Sequence, residues 1–371
     1  MATDEQGRPR ERVTIIDVAS ALGVAVSSVS NAYNRPDQLS AKLRERILTA
    51  AVELGYPGPD PVARSLRRQR AGAAGVLFAE RLSYAFSDQA TVQVLDGIAR
   101  AFEPAGLGLL LVPGRADDPI TLQHAMVDGF TVYSMVEDNP LLAAVLRRRL
   151  PTVLLDQPPR PGVPVITVDD VDGARQAATH LLDFGHRRFA IITDRLGEER
   201  SEADAAEPRS LHEPAEDTFF FIRRRLQGYR EALVAAGIVW EEVPIVERPE
   251  NSEADGATAM RALLAMHVPP TAVLCITDRL ALGALDAARQ AGLTVPHDVS
   301  IVGFDDIPKA AQAGLPLTTI RQAHHEKGLL AGQALVGRLR GEVVAEHTDL
   351  PVRLIVRGST GPARHQRNSP R

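Results

Sequence analysis

The chain has 371 residues, of which 44% are hydrophobic and 24% are charged. This length suits two or three domains and the composition is close to the globular average, so a fibrous chain, a stapled mini-protein and wholesale disorder are excluded. The single cysteine, Cys275, cannot form an intramolecular disulfide, and the polar N-terminus does not resemble a signal peptide. No apolar run approaches the ~18 residues that would span a bilayer. We therefore expect a cytoplasmic protein with no membrane partner.

The charge is divided unevenly along the chain. The formal net charge is −5, which by itself argues against a polyanionic partner. Before residue 72, however, the chain has 11 basic and 8 acidic residues, a net charge of +3, whereas the remainder has 31 basic and 39 acidic residues, a net charge of −8. The sequence thus combines a small basic segment with a larger acidic one.

Residues 13–56 are predicted to form three short helices. Thr14 and Asp17 have the spacing of a capping box, and Ser40 is a favourable N-cap for the last helix. Apolar residues recur at helical spacing between these signals, which predicts the helices Ile15–Leu22, Val26–Tyr33 and Ala41–Leu54. A tight link between the first two suggests a helix-turn-helix, whose second helix enters the major groove of DNA.

Beyond Ala71 the sequence repeats a unit of one apolar run, a loop and an amphipathic stretch. The apolar runs predict strands at Gly75–Ala79, Gly108–Val112, Thr131–Met135, Thr152–Asp156, Phe189–Thr193, Ala272–Thr277 and Ser300–Gly303. Strands that alternate with helices imply parallel sheets with right-handed crossovers, the doubly wound α/β class.

Two segments interrupt this pattern. Residues 194–217 carry nine acidic and three basic side chains with few apolar ones, which predicts a long mobile loop. Residues 362–371 are basic and polar and are predicted to form a disordered tail.

Eight stretches that occur in order along nearly the whole chain point to one family. They are VTIIDVASALGVAVSSVSNAYN (13–34), SAKLRERILTAAVELGY (40–56), VARSL (62–66), HLLDFGHRR (180–188), RLQGYREAL (225–233), DRLALGAL (278–285), HDVSIVGFDDIP (297–308) and PLTTIRQ (316–322). The chain resembles the lactose-repressor (LacI/GalR) family of bacterial transcriptional regulators. This resemblance implies an N-terminal all-α helix-turn-helix headpiece with a hinge helix, followed by an α/β periplasmic-binding-protein-like effector domain of two doubly wound parallel-sheet subdomains.

The resemblance also implies the domain boundaries. The headpiece is expected over residues 1–57, the hinge helix and linker over 58–71, and the effector-binding and dimerisation domain over 72–361. Within that domain, the first subdomain is expected at about 72–160 and 322–345, and the second at about 161–320 and 346–361. The acidic loop 194–217 would emerge near the cleft, where it either covers the effector or is simply disordered.

DNA contacts are implied for the headpiece. Val26, Ser27 and Asn31 match base-reading positions, since asparagine can bond adenine and valine can touch a thymine methyl. Contacts to phosphates are expected from Thr14, Ser28, Ser30 and Asn34. The alternative for the serines is an ordinary solvated helix face. The family usually has arginine where Asn31 stands and serine where Ala25 stands, so the operator sequence does not follow from the resemblance.

The segment 60–66 resembles the family's hinge helix, which orders on the operator in the minor groove. Leu66 matches the leucine that wedges between base pairs, and Ala63 and Arg64 match residues that face the groove. An interdomain linker is the alternative, and the headpiece upstream argues against it.

An effector is implied in the cleft between the subdomains, near the carboxyl ends of the strands. Asp305 and Arg225 match the family's effector-binding aspartate and arginine, and a carboxylate can accept hydrogen bonds from sugar hydroxyls or from a purine N–H. Five further residues match loops that line the cleft in relatives, namely Phe86, Asp88, Ser134, Asn251 and Thr277. Thr277 stands where the family commonly has asparagine, and strand-end capping is the alternative for Asp305.

Taken together, the sequence predicts a regulator that is not an enzyme. The resemblance implies a homodimer, with a tetramer as the larger alternative. Its partners would be a pseudo-palindromic double-stranded DNA operator, bound in the nucleoid, and a sugar or nucleoside effector. Repression of a carbohydrate- or nucleoside-utilisation operon is favoured over corepression. No cofactor, metal site or catalytic residue is expected, because the sequence has no G-x-S-x-G motif, no phosphate loop and no metal-ligand spacing. A solute-binding protein without DNA-binding output and an α/β enzyme are the alternatives.

Overall fold

A computed structural model describes residues 13–59, 70–79, 81–114, 120–196, 208–209 and 218–364. The chain divides into two compact units, Met1–Ala71 and Gly72–Arg371. The predicted hinge residues Ala63, Arg64 and Leu66 lie outside the described residues, as do most of the segment 194–217 and the last seven residues.

The first unit contains three helices, α1 (Ile15–Leu22), α2 (Val26–Asn34) and α3 (Ala41–Leu54). The predicted helices are confirmed, and α2 is one residue longer than the periodicity indicated. The helices enclose a small core of buried apolar side chains, namely Val18, Ala19, Val29, Ala32, Ile47 and Ala51. The whole core lies within one short stretch of sequence, between Val18 and Ala51.

The helix starts in this unit follow local capping chemistry. The Asp17 carboxylate accepts hydrogen bonds from the backbone N–H of Thr14 at 2.7 Å and from the Thr14 hydroxyl at 2.8 Å. These bonds to the charged form lower the pKa of Asp17 below its usual value. The Ser40 hydroxyl accepts from the backbone N–H of Leu43 at 3.3 Å. Both caps occur where the sequence predicts them.

The second unit is built on two six-stranded sheets. Its strands are β1 (Ala73–Phe78), β2 (Gly108–Pro113), β3 (Gly129–Tyr133), β4 (Thr152–Leu155), β5 (Val165–Val168), β6 (Phe189–Thr193), β7 (Ile245–Glu247), β8 (Ala272–Cys275), β9 (Ser300–Asp305), β10 (Thr318–Arg321), β11 (His347–Leu350) and β12 (Arg353–Ile355). The first sheet has the order β11-β5-β4-β3-β1-β2 and the second β12-β10-β9-β8-β6-β7. All pairings are parallel except that of β10 with β12, as expected for the doubly wound class.

Helices cover the faces of both sheets. They are α4 (Tyr84–Ser87), α5 (Gln89–Phe102), α6 (Ile120–His124), α7 (Pro140–Arg147), α8 (Asp170–Asp183), α9 (Phe220–Ala235), α10 (Glu253–Leu264), α11 (Asp278–Gln290), α12 (Pro308–Gln312) and α13 (His324–Arg340). α5 and α13 approach each other closely at two glycines. A Cβ added at Gly97 would overlap the His325 carbonyl oxygen, and one added at Gly328 would overlap the Val94 carbonyl oxygen. This contact sets the position of the first turn of α13.

The boundaries between the subdomains differ from the prediction at two points. Residues from 161 and from 346 were expected in the second subdomain, but β5 pairs with β4 and β11 pairs with β5, both in the first sheet. The chain therefore enters the second subdomain after Val168 and again after Leu350. Strand pairing decides to which subdomain each segment belongs. The pairing of β5 with β11 joins segments about 180 residues apart in the sequence, and no local pattern predicts it.

The predicted mobile loop and tail are also partly held in place. Within 194–217, Arg209 forms an antiparallel bridge with Ile245 of the edge strand β7, and its guanidinium lies 2.5 Å from the Glu247 carboxylate. At the C-terminus the backbone N–H of Ala363 donates to the Phe184 carbonyl at 2.8 Å. The chain is therefore held in place at Arg209 and at Ala363, and the rest of both predictions lies largely outside the described residues.

Among the described residues, no single helix is long and apolar enough to cross a membrane. Only α1 and α2 counted together, across a bend of 113°, reach that length and composition.

Candidate functional site

The first unit presents a polar helix surface. The 113° between α1 and α2 falls within the range of helix-turn-helix motifs, and Gly23, at φ 63°, makes the sharp turn that ends α1. On α2, Val26 is 42% exposed and Ser27 is also exposed, so both are accessible to a partner.

The remaining predicted DNA contacts are partly engaged within the headpiece. Asn31 Nδ2 donates to Gln38 Oε1 at 3.2 Å, and Asn34 Nδ2 donates to the Ser30 carbonyl at 3.0 Å. Ser28 and Ser30 are half-buried, and the exposed Thr14 hydroxyl donates to Asp17. Bidentate recognition of adenine would use both the amide oxygen and the amide N–H of Asn31, so it would compete with the contact to Gln38.

The second unit contains a cleft between its two subdomains, with an empty volume of about 670 Å³ that includes the mouth open to solvent. Side chains at the carboxyl ends of strands from both sheets line it, as is usual for ligand sites in open α/β sheets. These are Ser134 after β3, Asp156 after β4, Asp194 after β6, Thr277 after β8, Asp305 at the end of β9 and Gln322 after β10.

The structure brings six of the seven predicted effector contacts to this cleft. They are Asp88, Ser134, Arg225, Asn251, Thr277 and Asp305. Phe86 is instead 68% exposed and does not line the cleft. Residues two positions apart point to opposite sides of a helix, and in the short helix α4 it is Tyr84 that faces the cleft.

Arg225 is the centre of the second-subdomain wall. Its Nε donates to Asp170 at 2.8 Å, and its Nη1 donates to the Ile276 carbonyl at 2.6 Å and lies 3.4 Å from Asp305 Oδ1. The guanidinium also stacks 3.6 Å from the centre of the Phe304 ring. Because the Arg225 side chain is only 3% exposed, these contacts hold a buried cation in one orientation.

A hydrogen-bonded chain continues from Asp305 into the first subdomain. Gln322 Nε2 donates to Asp305 Oδ1 at 2.6 Å, and Gln322 Oε1 accepts from Lys327 Nζ at 2.9 Å. Lys327 Nζ also lies 2.5 Å from Asp156 Oδ2. The two walls are therefore joined through Gln322, which lies where the chain passes from β10 to α13.

Further contacts join residues on the two sides of the cleft. Asn251 Nδ2 donates to the Tyr84 hydroxyl at 2.9 Å, and Asn251 Oδ1 accepts from the Thr277 hydroxyl at 2.6 Å. Arg279 Nη1 lies 3.9 Å from Asp88 Oδ1. Because Tyr84 and Asp88 belong to the first subdomain and their partners to the second, a ligand here would compete with contacts between the subdomains.

Burial raises the pKa values of the two carboxyls that contact Arg225. Loss of solvation raises the pKa of Asp305 to about 7, with the charge of Arg225 opposing the shift. Loss of solvation likewise raises the pKa of Asp170 to about 6, again with Arg225 opposing. Both groups therefore titrate far above an exposed aspartate.

Backbone strain is concentrated at the same edge. Ser134 (φ 48°), Asp156 (φ 50°) and Asp305 (φ 121°) occupy the left-handed region although none is glycine, and all three line the cleft. Such conformations cost of order 1–3 kcal/mol each and are typical of functional sites.

Among the cleft residues that reasoning from the sequence missed are four polar ones on the wall of the first subdomain and the crossover into it, namely Asp156, Gln322, His324 and Lys327. Asp156 and Gln322 follow strands, which is a signal that could have identified them. Lys327 is one of only three lysines in the chain and is 1% exposed, but nothing local to it predicts burial. Within the described residues, no three His, Cys, Asp or Glu side chains are grouped to hold a metal ion.

Known protein families match segments of both units. Residues 14–58 match bacterial regulatory proteins of the lacI family, and residues 178–360 match the periplasmic binding protein-like domain. The chain is 43% identical over 362 residues to the HTH-type transcriptional regulator Rv3575c of Mycobacterium tuberculosis, which covers 95% of this chain and 98% of that protein.

Two solved structures are similar over nearly the whole chain. A complex of the transcriptional regulator CelR with cellobiose has a TM-score of 0.66 and 30% identity, and covers 94% of this chain and 100% of that one. The lac repressor dimer bound to operator and the anti-inducer ONPF has a TM-score of 0.75 and 25% identity, and covers 95% and 100%. These relatives are regulators and not enzymes. The chain belongs to the LacI family of DNA-binding transcriptional regulators, with a helix-turn-helix headpiece and a periplasmic-binding-protein-like effector-binding domain.

Proposed function

We propose that this regulator is a repressor that binds a pseudo-palindromic operator as a homodimer and releases it when a neutral sugar or nucleoside occupies the cleft. The observation that carries this proposal is that one cavity is lined by polar side chains of both subdomains. A ligand that contacts both walls favours one relative orientation of the subdomains, because a ligand shifts an equilibrium by its difference in affinity for the two states.

The charges of the cleft support a neutral ligand. Four carboxylates line it, Asp88, Asp156, Asp194 and Asp305, against the two cations Arg225 and Lys327. Carboxylates accept hydrogen bonds from hydroxyl and N–H groups and repel phosphate. A similar regulator, CelR, is known in complex with cellobiose, which agrees with a carbohydrate ligand. The regulated genes would then be those for using a carbohydrate or nucleoside.

In this proposal the headpiece supplies the sequence specificity. Val26, Ser27 and Asn31 contact base edges, and phosphates are contacted by Thr14, Ser28, Ser30 and Asn34. Leu66 wedges into the minor groove with Ala63 and Arg64 beside it, and ligand binding changes the order of this hinge. A coupling of about 1–3 kcal/mol between cleft and operator is typical of such linkage.

Fluorescence anisotropy with promoter DNA from beside the gene tests the proposal. The full chain should bind this DNA specifically and more weakly as salt rises, because phosphate contacts release counterions. One member of a set of neutral sugars and nucleosides should weaken that binding about 5- to 150-fold. Binding that ignores the DNA sequence, or that no member of the set changes, contradicts the proposal.

The Asp305→Asn variant tests the cleft as the origin of the response. The active ligand should no longer weaken operator binding, since the amide keeps the shape of Asp305 but not its charge or its acceptor capacity. The Asp286→Asn variant on α11 is the control, because that side chain is 54% exposed and outside the cleft. An unchanged response in Asp305→Asn would remove the residue from the site.

A further inference from the structure

The turn that carries Asp305 is strained at two consecutive residues. Asp305 has φ 121° and Asp306 has φ 55°, so both occupy the left-handed region, which residues other than glycine rarely adopt. Such conformations persist only where the surrounding structure holds them. Asp305 lines the cleft, but Asp306 does not. Contacts outside the cleft must therefore hold the second residue of this turn.

Two arginines hold the Asp306 carboxylate, one at each oxygen. Arg321 Nε donates to Oδ2 at 2.5 Å, and Arg357 Nη2 donates to Oδ1 at 2.6 Å. The Asp306 side chain is only 5% exposed, so water does not compete freely for either oxygen. Arg357 is itself fixed, because its Nη1 donates to the Leu317 carbonyl at 2.8 Å. Two charge-assisted hydrogen bonds from different segments thus fix the position of one carboxylate.

The next residue of the turn is held from the side of α11. The backbone N–H of Ile307 donates to Asp278 Oδ2 at 2.9 Å, and Asp278 is fully buried as the first residue of α11. The Thr319 hydroxyl donates to the other oxygen of Asp278 at 2.5 Å. Each of residues 305–307 therefore has its own partner, and the backbone is held in a conformation that it would not adopt by itself.

Both arginines lie beside points where the chain crosses between the subdomains. Arg321 is the last residue of β10, directly before the crossing into the first subdomain, and Arg357 follows β12, after the crossing back. β10 and β12 are neighbours in the second sheet. A shift of these crossings would act on Asp306, which a single peptide bond joins to the cleft residue Asp305.

We infer that Asp306, Arg321 and Arg357 are positioning residues that hold the Asp305 carboxylate in the cleft, although none of the three lines the cleft. Their contacts fix the strained backbone of the turn, and they do not touch the effector. Without them the turn relaxes to an ordinary conformation, and Asp305 loses its contact with Arg225, which is 3.4 Å in the structure. The inference rests on the proposed function, because it takes Asp305 as an effector contact.

Crystal structures of the full chain without ligand test the positioning directly. In Arg357→Met, Asp305 and Asp306 should leave the left-handed region, and the contact between Asp305 and Arg225 should be lost. Arg321→Met, at a side chain 43% exposed, makes the same test if Arg357→Met does not fold. Arg353→Met is the matched control, because Arg353 is exposed on β12 where it pairs with Arg321. Left-handed φ values at both aspartates of the folded variant overturn the inference.

Two substitutions of Asp306 separate backbone strain from the lost charge. Asp306→Gly and Asp306→Ala both remove the carboxylate, but glycine adopts a φ of 55° without strain and alanine does not. Asp305 should therefore keep its place in the crystal structure of Asp306→Gly and lose it in that of Asp306→Ala. A role in stability alone would leave Asp305 in place in both. If Asp305 stays in place in Asp306→Ala, or moves equally in the two variants, the inference fails.

Operator release in the anisotropy assay tests the consequence for the response, with D-glucose, cellobiose and adenosine as probes. Where a probe releases the wild type, Arg357→Met should need at least about fivefold more of it, which corresponds to about 1 kcal/mol of strain no longer held. Arg353→Met should need the same concentration as the wild type. Equal concentrations for Arg357→Met and the wild type contradict the inference. If no probe releases the wild type, the proposed function fails for these ligands, and the crystal structures still decide the inference.

Discussion

In the headpiece, the residues that stabilise the fold are different from the residues that would recognise a partner, whereas in the cleft they are the same residues. In the headpiece a small apolar core supplies the stability, while the candidate DNA contacts lie on the surface of α2. In the cleft the candidate ligand contacts are buried charges that also join the subdomains, as Arg225 does with Asp170 and Asp305. A headpiece contact can therefore be removed with little loss of stability, whereas a cleft contact cannot.

The largest expected effect is on the cleft side. Arg225→Met should destabilise the second unit by about 3–5 kcal/mol, because it leaves Asp170 and Asp305 buried without their cation. Urea unfolding at neutral pH measures the change. The control is Arg224→Met, which loses a half-exposed ion contact at 3.9 Å and a distant contact with the Phe220 ring and should cost less than about 1 kcal/mol. Equal losses in the two variants would show that Arg225 is not a structural element of the cleft.

A core substitution in the headpiece should separate the two functions. Ile47→Ala removes a fully buried side chain and should cost the headpiece about 3 kcal/mol, a large share of the stability of so small a unit. Operator binding should fall while the affinity of the cleft for its ligand stays as in the wild type. Val52→Ala, at a position 80% exposed, is the control and should change neither. A parallel loss of ligand affinity would contradict the separation.

Between about pH 4 and 7, the pH dependence of stability should come mainly from the cleft. The pKa of Asp305 is about 7 in the folded chain against an ordinary 3.8, so between these values only the folded state holds the proton. The stability of the second unit should therefore fall as pH rises through this window, by up to about 1.4 kcal/mol per pH unit from this group. Asp305→Asn should reduce that slope in urea unfolding measured from pH 4 to 8. A slope identical to that of the wild type would contradict the raised pKa.

The smallest expected effect concerns a helix cap in the headpiece. Ser40→Ala removes the acceptor for the backbone N–H of Leu43 and should cost about 1 kcal/mol. Differential scanning calorimetry of the full chain should show a lower Tm for the headpiece transition and an unchanged Tm for the second unit. Thr49→Ala, in the middle of α3 and exposed, is the control. A cost no greater than that of the control would mean that solvent replaces the cap.

The difference between the regions also explains which predictions from the sequence were accurate. The headpiece helices were predicted almost to the residue, because Asp17, Ser40 and Gly23 act on neighbours within four positions. The strand Phe189–Thr193 was predicted exactly as observed, since a buried parallel strand is a short apolar run. The strands β5 and β11 were assigned to the wrong subdomain, because an apolar run does not state its partner: β5 pairs with the preceding strand β4 and also with β11, about 180 residues away.

Within the cleft, the sequence could indicate residues that follow strands but not how side chains on helices point. Phe86 and Tyr84 differ by two positions on α4, and only the packing of that helix decides which of them reaches the cavity.

The sequence by itself determined the class of this protein, since its capping signals, apolar runs and ordered family stretches are all local. The tertiary structure alone decided the chemistry of the cleft. Arg225 meets Asp170 and Asp305 across 55 and 80 residues, and Lys327 meets Asp156 across 171. The burial of His324 in the cleft is likewise a property of the folded chain. Burial and charge pairing depend on which segments meet, and that information is not carried by any one segment.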